Sequence, residues 1–366
     1  MKSVNRKLLI LCPYPKGTAP SQRFRFEQYL MHIEQAGWEV RQEPFWDEKS
    51  WQILYQKGHV IQKLMAIVRG YLRRYSLLIQ GLDVDVVFVH REISPMGFPW
   101  VAWWLSRILK KPIIYDFDDA IWIPNTSHSN RWSLGFKSYG NTAKLIRMST
   151  QVFAGNAFLA RFAQSCGGNA HIQIVPTTID TEHHHNKVAS APEHPFVIGW
   201  TGSHSTMTYL DDLRPVIETL AKEIRLKWVV VSDVAPEFDM DVLEFRPWTK
   251  ETEVDSMLDF HVGVMPLRPD AWAEGKCGFK ALQYLALGIP ALVSPVGVNS
   301  EIVHNGKNGY LCSDASEWLH CLRLLAGDKL LLQALSGQTR TGIIENYSVL
   351  AHRGTYIETL NRLAKM

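Results

Sequence analysis

The sequence predicts an α/β protein built as two parallel-sheet domains, and three observations predict it. Short apolar runs rich in β-branched residues alternate with longer stretches of helical periodicity, with turn residues between them. At 366 residues and 46% apolar content, the chain is long enough for two domains of ordinary size. A polar, proline-containing lapse over residues 174–195 separates the two alternating halves.

The first run, 8–12, follows M-K-S-V-N-R-K; it is too short for a signal-peptide core and reads as a buried strand. No window approaches a transmembrane length. The loop after it, 13–25, carries Lys16, Arg23 and Arg25. Loops at the carboxyl ends of strands are where open α/β sheets bind ligands, so Arg23 is a candidate for an acceptor or phosphate contact; capping its own helix stays open beside that.

Residues 51–82 hold five basic and no acidic residues, with Ile61, Leu64, Met65, Val68, Leu72 and Tyr75 at helical spacing. Such a basic amphipathic helix either packs on its own sheet or lies on an anionic membrane. Residues 100–111 add Trp100, Trp103, Trp104, Arg107, Lys110 and Lys111 to the second alternative.

The strand at 84–89 ends at His90-Arg91-Glu92, and the strand at 112–115 ends at Asp116-Phe117-Asp118-Asp119, the densest acidic cluster. A D-x-D pattern suits a divalent cation on a diphosphate; a strand-end carboxylate equally suits positioning an acceptor hydroxyl. The second is preferred, because the diphosphate features lie in the other half. A strand at 151–154 completes the first domain, taken as 1–180. Residues 181–195, including His183-His184-His185, read as a polar linker rather than a metal site, since adjacent side chains do not converge.

The second domain, 196–346, starts with a strand at 196–200 and continues with strands at 227–232 and 262–265. After the first of these comes G-W-T-G-S-H-S-T at 199–206, a small-residue loop before a helix, which offers an anion cradle of backbone N–H groups through Gly202, Ser203 and His204. It matches neither a G-x-G-x-x-G fingerprint nor a Walker loop.

A helix is predicted over 277–287, stopped by Gly288 and Pro290, with Lys276, Lys280 and Gln283 on one face and Leu282, Leu285 and Ala286 inward. Two lysines beside a helix start, where N–H groups are already unpaired, suit a bound diphosphate, and a following amide suits sugar hydroxyls. A solvated lysine face with a structural glutamine is the plain alternative.

Five scattered cysteines with no C-x-x-C pair favour a reduced, cytosolic protein without a zinc site. A net charge of +3 gives no nucleic-acid footprint over the whole surface.

Taken together and in order, V-I-G-W-T-G-S at 197–203, Tyr209-Leu210, G-V-M-P-L at 263–267, G-K-C-G-F-K-A-L-Q-Y-L-A-L-G-I-P at 275–290, S-P-V-G-V-N-S-E-I-V at 294–303 and G-K-N-G-Y-L at 306–311 resemble the GT-B glycosyltransferases, specifically family 4 (group 1) of bacterial surface-polysaccharide type. The resemblance implies two Rossmann-like domains facing a cleft, with a return helix at 347–366 completing the first. It also implies transfer from a nucleoside diphosphate sugar, UDP- or GDP-linked, to a glycan or lipid-linked acceptor, with retention and no required metal or other cofactor.

On that likeness the donor is held by Gly202, Ser203, His204, Lys276, Lys280 and Gln283. The acceptor lies near Arg23, Arg91 and Asp119, and the catalytic candidates are Asp118, His90 and Lys276. Gln283 stands where the family has its ribose-binding glutamate; the first glutamate of that motif falls on Gly275, with Glu274 one residue off register. Ser203 and Thr208 replace the usual Arg and Lys, leaving Lys276 and Lys280 to supply positive charge, and Asp118 aligns with the family's histidine. A sugar-nucleotide epimerase or hydrolase and a non-catalytic GT-B subunit remain the rival expectations. The expected location is cytoplasmic, with peripheral contact on the inner membrane face left open.

Overall fold

The computed structural model describes residues 6–54, 56, 58–79, 83–124 and 138–366. The chain forms two compact units, Met1–Thr177 with His352–Met366, and Thr178–Ala351.

The first unit is built on a six-stranded parallel sheet: β1 (Arg6–Cys12), β2 (Trp38–Pro44), β3 (Val86–His90), β4 (Ile113–Phe117), β5 (Gln151–Ala154) and β6 (His171–Ile174), in the order β2-β1-β3-β4-β5-β6. Strands β3, β4 and β5 are buried along their whole length, as continuous Val/Ile/Phe runs covered on both faces should be. The final helix, Val349–Leu363, returns the chain to this unit. There Tyr356 stacks on Tyr29 with ring centroids 4.1 Å apart and donates its hydroxyl to the carbonyl of Arg25.

The second unit carries β7 (Phe196–Thr201), β8 (Leu226–Ser232), β9 (Leu243–Pro247), β10 (Val262–Met265), β11 (Ala291–Val293) and β12 (Gly309–Leu311), in the order β12-β11-β10-β7-β8-β9 and all parallel. Read from β9, this is the doubly wound order 3-2-1-4-5-6, whose direction reverses between β7 and β10. Trp200, Trp228, Ile217, Leu220 and Leu322 fill the core on one face.

Among the described residues, five of the twelve strands, β2, β6, β9, β11 and β12, fall outside the runs marked by sequence. Four of them are sheet edges, half-exposed and therefore lacking a continuous apolar run; β11 has only three residues.

Residues 181–195, linker-like in composition, are folded into the second unit. Arg340 donates to the carbonyls of Thr181 and His185 at 3.0 and 2.7 Å, and to that of Ala286. Asp180 accepts from the backbone N–H groups of Glu182 and His183, and His185 has no exposed surface. A guanidinium that collects carbonyls from a loop substitutes for the sheet ladder the loop lacks.

Candidate functional site

In open α/β sheets, ligands sit beyond the carboxyl ends of strands where the winding reverses. In the second unit that point is the β7–β10 pair, and the candidate donor residues follow from the ends of those two strands. Strand β7 runs straight into Gly202. A side chain there would place its Cβ 2.5 Å from the Trp200 ring and 2.7 Å from Lys280 Cε, so glycine is what lets the Lys280 stem cross the loop. Lys280 Nζ lies 5.4 Å from the centroid of Trp200 and donates to Thr206 Oγ1 at 3.3 Å.

Ser203 stands at the N-cap of a four-residue helix, His204–Met207, without a side-chain bond to its backbone N–H groups; its hydroxyl pairs with that of Ser205 instead. His204 is anchored on Asp233 by its backbone N–H at 2.8 Å and its Nδ1 at 2.7 Å. Burial raises the Asp233 carboxyl, and the bonds from His204 more than offset this, leaving it below its ordinary value.

The helix expected over 277–287 spans Phe279–Ala286. Gly278 precedes it at φ +65°, a left-handed turn in which any Cβ would meet Ile302 Cδ1 at 2.3 Å. That turn delays the start of the helix, so Lys276 lies three residues before its first residue and does not share a helical face with Lys280. Its ammonium sits over the Trp272 ring, 5.3 Å from the centroid.

Gln283 departs further from expectation. It is 2% exposed, with its amide 3.5 Å from Glu253 Oε1 and 3.4 Å from His185 Nε2. The folded histidine run covers it: His184 Nε2 bonds Glu253 Oε2 at 2.8 Å, and the amide is spent on that cluster rather than turned to solvent. The neighbouring Tyr284 holds the site from within the core. Its hydroxyl accepts from Thr201 N at 2.9 Å and donates to the carbonyl of Val264 at 3.3 Å, tying the ends of β7 and β10 together.

In the first unit the reversal falls between β1 and β3. His90 and Asp116 are register partners at the ends of β3 and β4, and His90 Nδ1 meets Asp116 Oδ2 at 2.7 Å. Arg25 completes the cluster, with Nε 3.2 Å from Asp116 Oδ1 and Nη1 donating to the carbonyl of Val175. All three side chains are fully buried. His90, expected beside the acceptor, is therefore a core residue.

Arg23 is 8% exposed with its guanidinium over the Phe24 ring, so it too is packed rather than presented. The residues nearer the surface are the next pair along. Arg91 Nε donates to Asp118 Oδ1 at 2.6 Å, and its Nη2 stands 3.8 Å from Asp119. Burial lowers the Arg91 guanidinium's pKa, but Asp118 and Asp119 raise it further, keeping it charged. Arg91 is held at φ +52°, a conformation costing on the order of 1–3 kcal/mol for a non-glycine residue and fixed here by its N–H to the carbonyl of Asp116 at 2.8 Å.

The D-x-D carboxylates are thus divided between two arginines. The sequence weighted Arg23 over Arg25; what distinguishes them is the buried Asp116 carboxylate that Arg25 meets.

Residues 195–328 match the family model described as Glycosyl transferases group 1. No curated protein matches the chain by sequence. Among solved structures, the chain is similar to sucrose-phosphate synthase (tll1590) from Thermosynechococcus elongatus, with a TM-score of 0.70 at 12% identity, covering 98% of this chain and 99% of that one. It is similar also to a glycosyltransferase from Rickettsia africae ESF-5, with a TM-score of 0.69 at 11% identity and 99% of each chain covered. The structure of Anabaena Alr3699/HepE in complex with UDP and glucose gives a TM-score of 0.62 at 13% identity, over 97% of this chain and 99% of that one. The fold is GT-B, and over its second unit the chain resembles the group 1 glycosyltransferases.

Proposed function

We propose that this protein is a glycosyltransferase that moves a sugar from a nucleoside diphosphate sugar to a glycan or lipid-linked acceptor, with retention and without a required metal. The observation that carries the reading is the meeting of Gly202 and Lys280 at the winding reversal of the second sheet, inside the stretch that matches the group 1 family model. A UDP-linked donor is favoured over a GDP-linked one because the Anabaena neighbour binds UDP and UDP-glucose.

In this reading, the N–H groups at the start of the helix Phe279–Ala286 and the ammonium groups of Lys276 and Lys280 receive the diphosphate. Charge grows on that leaving group as the glycosidic bond breaks, so donors fixed on it stabilise the transition state more than the bound donor. The two lysines thereby supply the countercharge that a metal would otherwise bring. Ser203 and the His204–Asp233 pair shape the loop beside it. In the first unit, Asp118 and Arg91 are the groups assigned to the acceptor, with Asp118 ordering a hydroxyl; buried His90 and Asp116 act only by positioning that loop.

The test is calorimetric titration with UDP and GDP, with and without magnesium, on the wild type and on Lys276→Ala and Lys280→Ala. Metal-independent binding of UDP that weakens at least about tenfold in each variant is expected, as loss of one charge-assisted contact implies. Binding of neither nucleotide overturns the reading in favour of a non-catalytic subunit. Acceptor-independent consumption of a UDP-sugar overturns it in favour of an epimerase or hydrolase.

A further inference from the structure

The helix Val60–Ile79 is turned inside out. Residues at 60, 61, 64, 65, 68, 72 and 75 fall within one side of a helix with 3.6 residues per turn, and all are exposed: Val60 67%, Ile61 73%, Leu64 57%, Met65 50%, Val68 57%, Leu72 63% and Tyr75 40%. The helix packs instead through its other side. Ala66 and Leu77 are buried, Gly70 admits the Phe45 ring against its Cα, and Arg74, 1% exposed, donates to the carbonyls of Cys12, Glu43 and Ile93 at 2.8–2.9 Å. The helix does pack on its own sheet, one of the two sequence expectations, but through Ala66, Leu77 and Arg74 rather than through the apolar stripe, and Arg74 belongs to the core rather than to a basic face.

The apolar side does not stop at the helix. Tyr75 and Trp100 line one groove, and beyond it Trp104 and Ile108 are exposed at 37% and 48%. The border of this surface is net basic: Lys63, Arg107 and Lys110 are joined by Arg69 and Arg73, which share the single carboxylate of Asp47 at 3.9 and 3.5 Å. The helix itself contains no acidic residue. Among the described residues no helix is long and apolar enough to cross a membrane.

We propose that this face docks the protein on an anionic lipid bilayer, with the Val60–Ile79 helix lying in the interfacial plane, its leucine, valine and methionine side chains in the acyl boundary and its lysine and arginine groups on lipid phosphates. A twenty-residue helix offers about 30 Å of contact line. Exposed aliphatics, interfacial tryptophans and a net-positive rim are the combination an anionic bilayer stabilises and water does not. A second copy of the chain fits less well, because a twofold contact through this surface would set its basic rim against itself.

The test is sedimentation of the full chain with vesicles of phosphatidylcholine alone and of phosphatidylcholine with 30 mol% (about a third; an anionic content chosen to give a strong surface potential) phosphatidylglycerol. The pair is the wild type and Leu64→Asp/Leu72→Asp, both checked by circular dichroism and by UDP titration. Binding to the anionic vesicles only, weakened by high salt and reduced more than about tenfold in the double variant, is expected.

Equal binding to both vesicle types, or no binding at low salt, overturns the proposal. A wild-type dimer in sedimentation velocity that the double variant dissolves, with no vesicle binding by either, assigns the face to self-association and overturns it too. This inference does not rest on the donor site, so UDP binding separates its failure from failure of the proposed function.

Discussion

Arg25 and Asp116 form an ion pair in which neither side chain has exposed surface, with Nη2 2.5 Å from Oδ1. They are 91 residues apart in sequence. Burial pushes the Asp116 carboxyl up, but Arg25 and then His90 pull it further down, leaving it below its ordinary value. Burial works against the Arg25 charge as well, and Asp116 more than restores it. Each charge is tolerable only because of the other.

Asp116→Asn leaves Arg25 charged and buried without its counterion. The expected loss is about 3–5 kcal/mol of stability, measured by urea denaturation. Replacing both partners, as Arg25→Met with Asp116→Leu, removes the uncompensated charge and recovers much of that loss. A single variant as stable as the wild type would show that water reaches Arg25 and that the pair is not closed.

The same pair sets an acid limit. A carboxylate whose folded pKa lies below its unfolded value of 3.8 contributes stability that is complete above that value and is lost as pH falls through the folded pKa. The wild-type urea midpoint should therefore hold down to about pH 5 with respect to this group and then decline below pH 4. The decline should be shallower in Asp116→Asn, which has no proton to take up there. Parallel curves for the two proteins would assign the acid loss to other carboxylates.

What was legible in the sequence follows burial. Strands β3, β5, β7, β8 and β10 announce themselves because a strand covered on both faces must be apolar throughout. Edge strand β2, buried only at Trp38 and half-buried or exposed at every other residue, carries no such run. The meeting of Gly202 and Lys280 beyond β7 depends on spacings to their own strands, which are local, and so the sequence could place both near one loop. Long-range contacts were not: Arg25 looks like Arg23 until the sheet register sets it against Asp116, and Gln283 looks solvent-facing until Arg340 folds residues 181–187 over it. Periodicity placed the apolar side of Val60–Ile79 and left its direction open, because a pattern of residues does not say whether a sheet or something outside the chain covers it.

Tyr284→Phe tests how the second sheet holds its loop. The variant keeps the ring and removes the acceptor of Thr201 N–H, a fully buried donor. About 1–3 kcal/mol of stability should be lost. UDP affinity should fall in the same variant although the hydroxyl is in the core, because the end of β7 is no longer tied to β10. Unchanged affinity together with the stability loss would confine Tyr284 to a structural role.

Gly202→Ala is the sharpest probe of the proposed donor loop. The added methyl meets two groups at once, the Trp200 ring at 2.5 Å and Lys280 Cε at 2.7 Å. Trp200 is 1% exposed and packed in the core, so the ring cannot swing away; Lys280 is the flexible end of a chain and yields. Yielding by Lys280 leaves the contact with the ring, so the loop backbone must shift as well: the methyl should cost about 1–3 kcal/mol of stability and displace the Lys280 ammonium from the loop. UDP affinity should drop at least about tenfold, close to the loss in Lys280→Ala. The double variant Gly202→Ala/Lys280→Ala should bind no more weakly than either single one, since both changes remove the same contact. Additive losses would mean that Gly202 serves the nucleotide through its own backbone rather than by admitting Lys280.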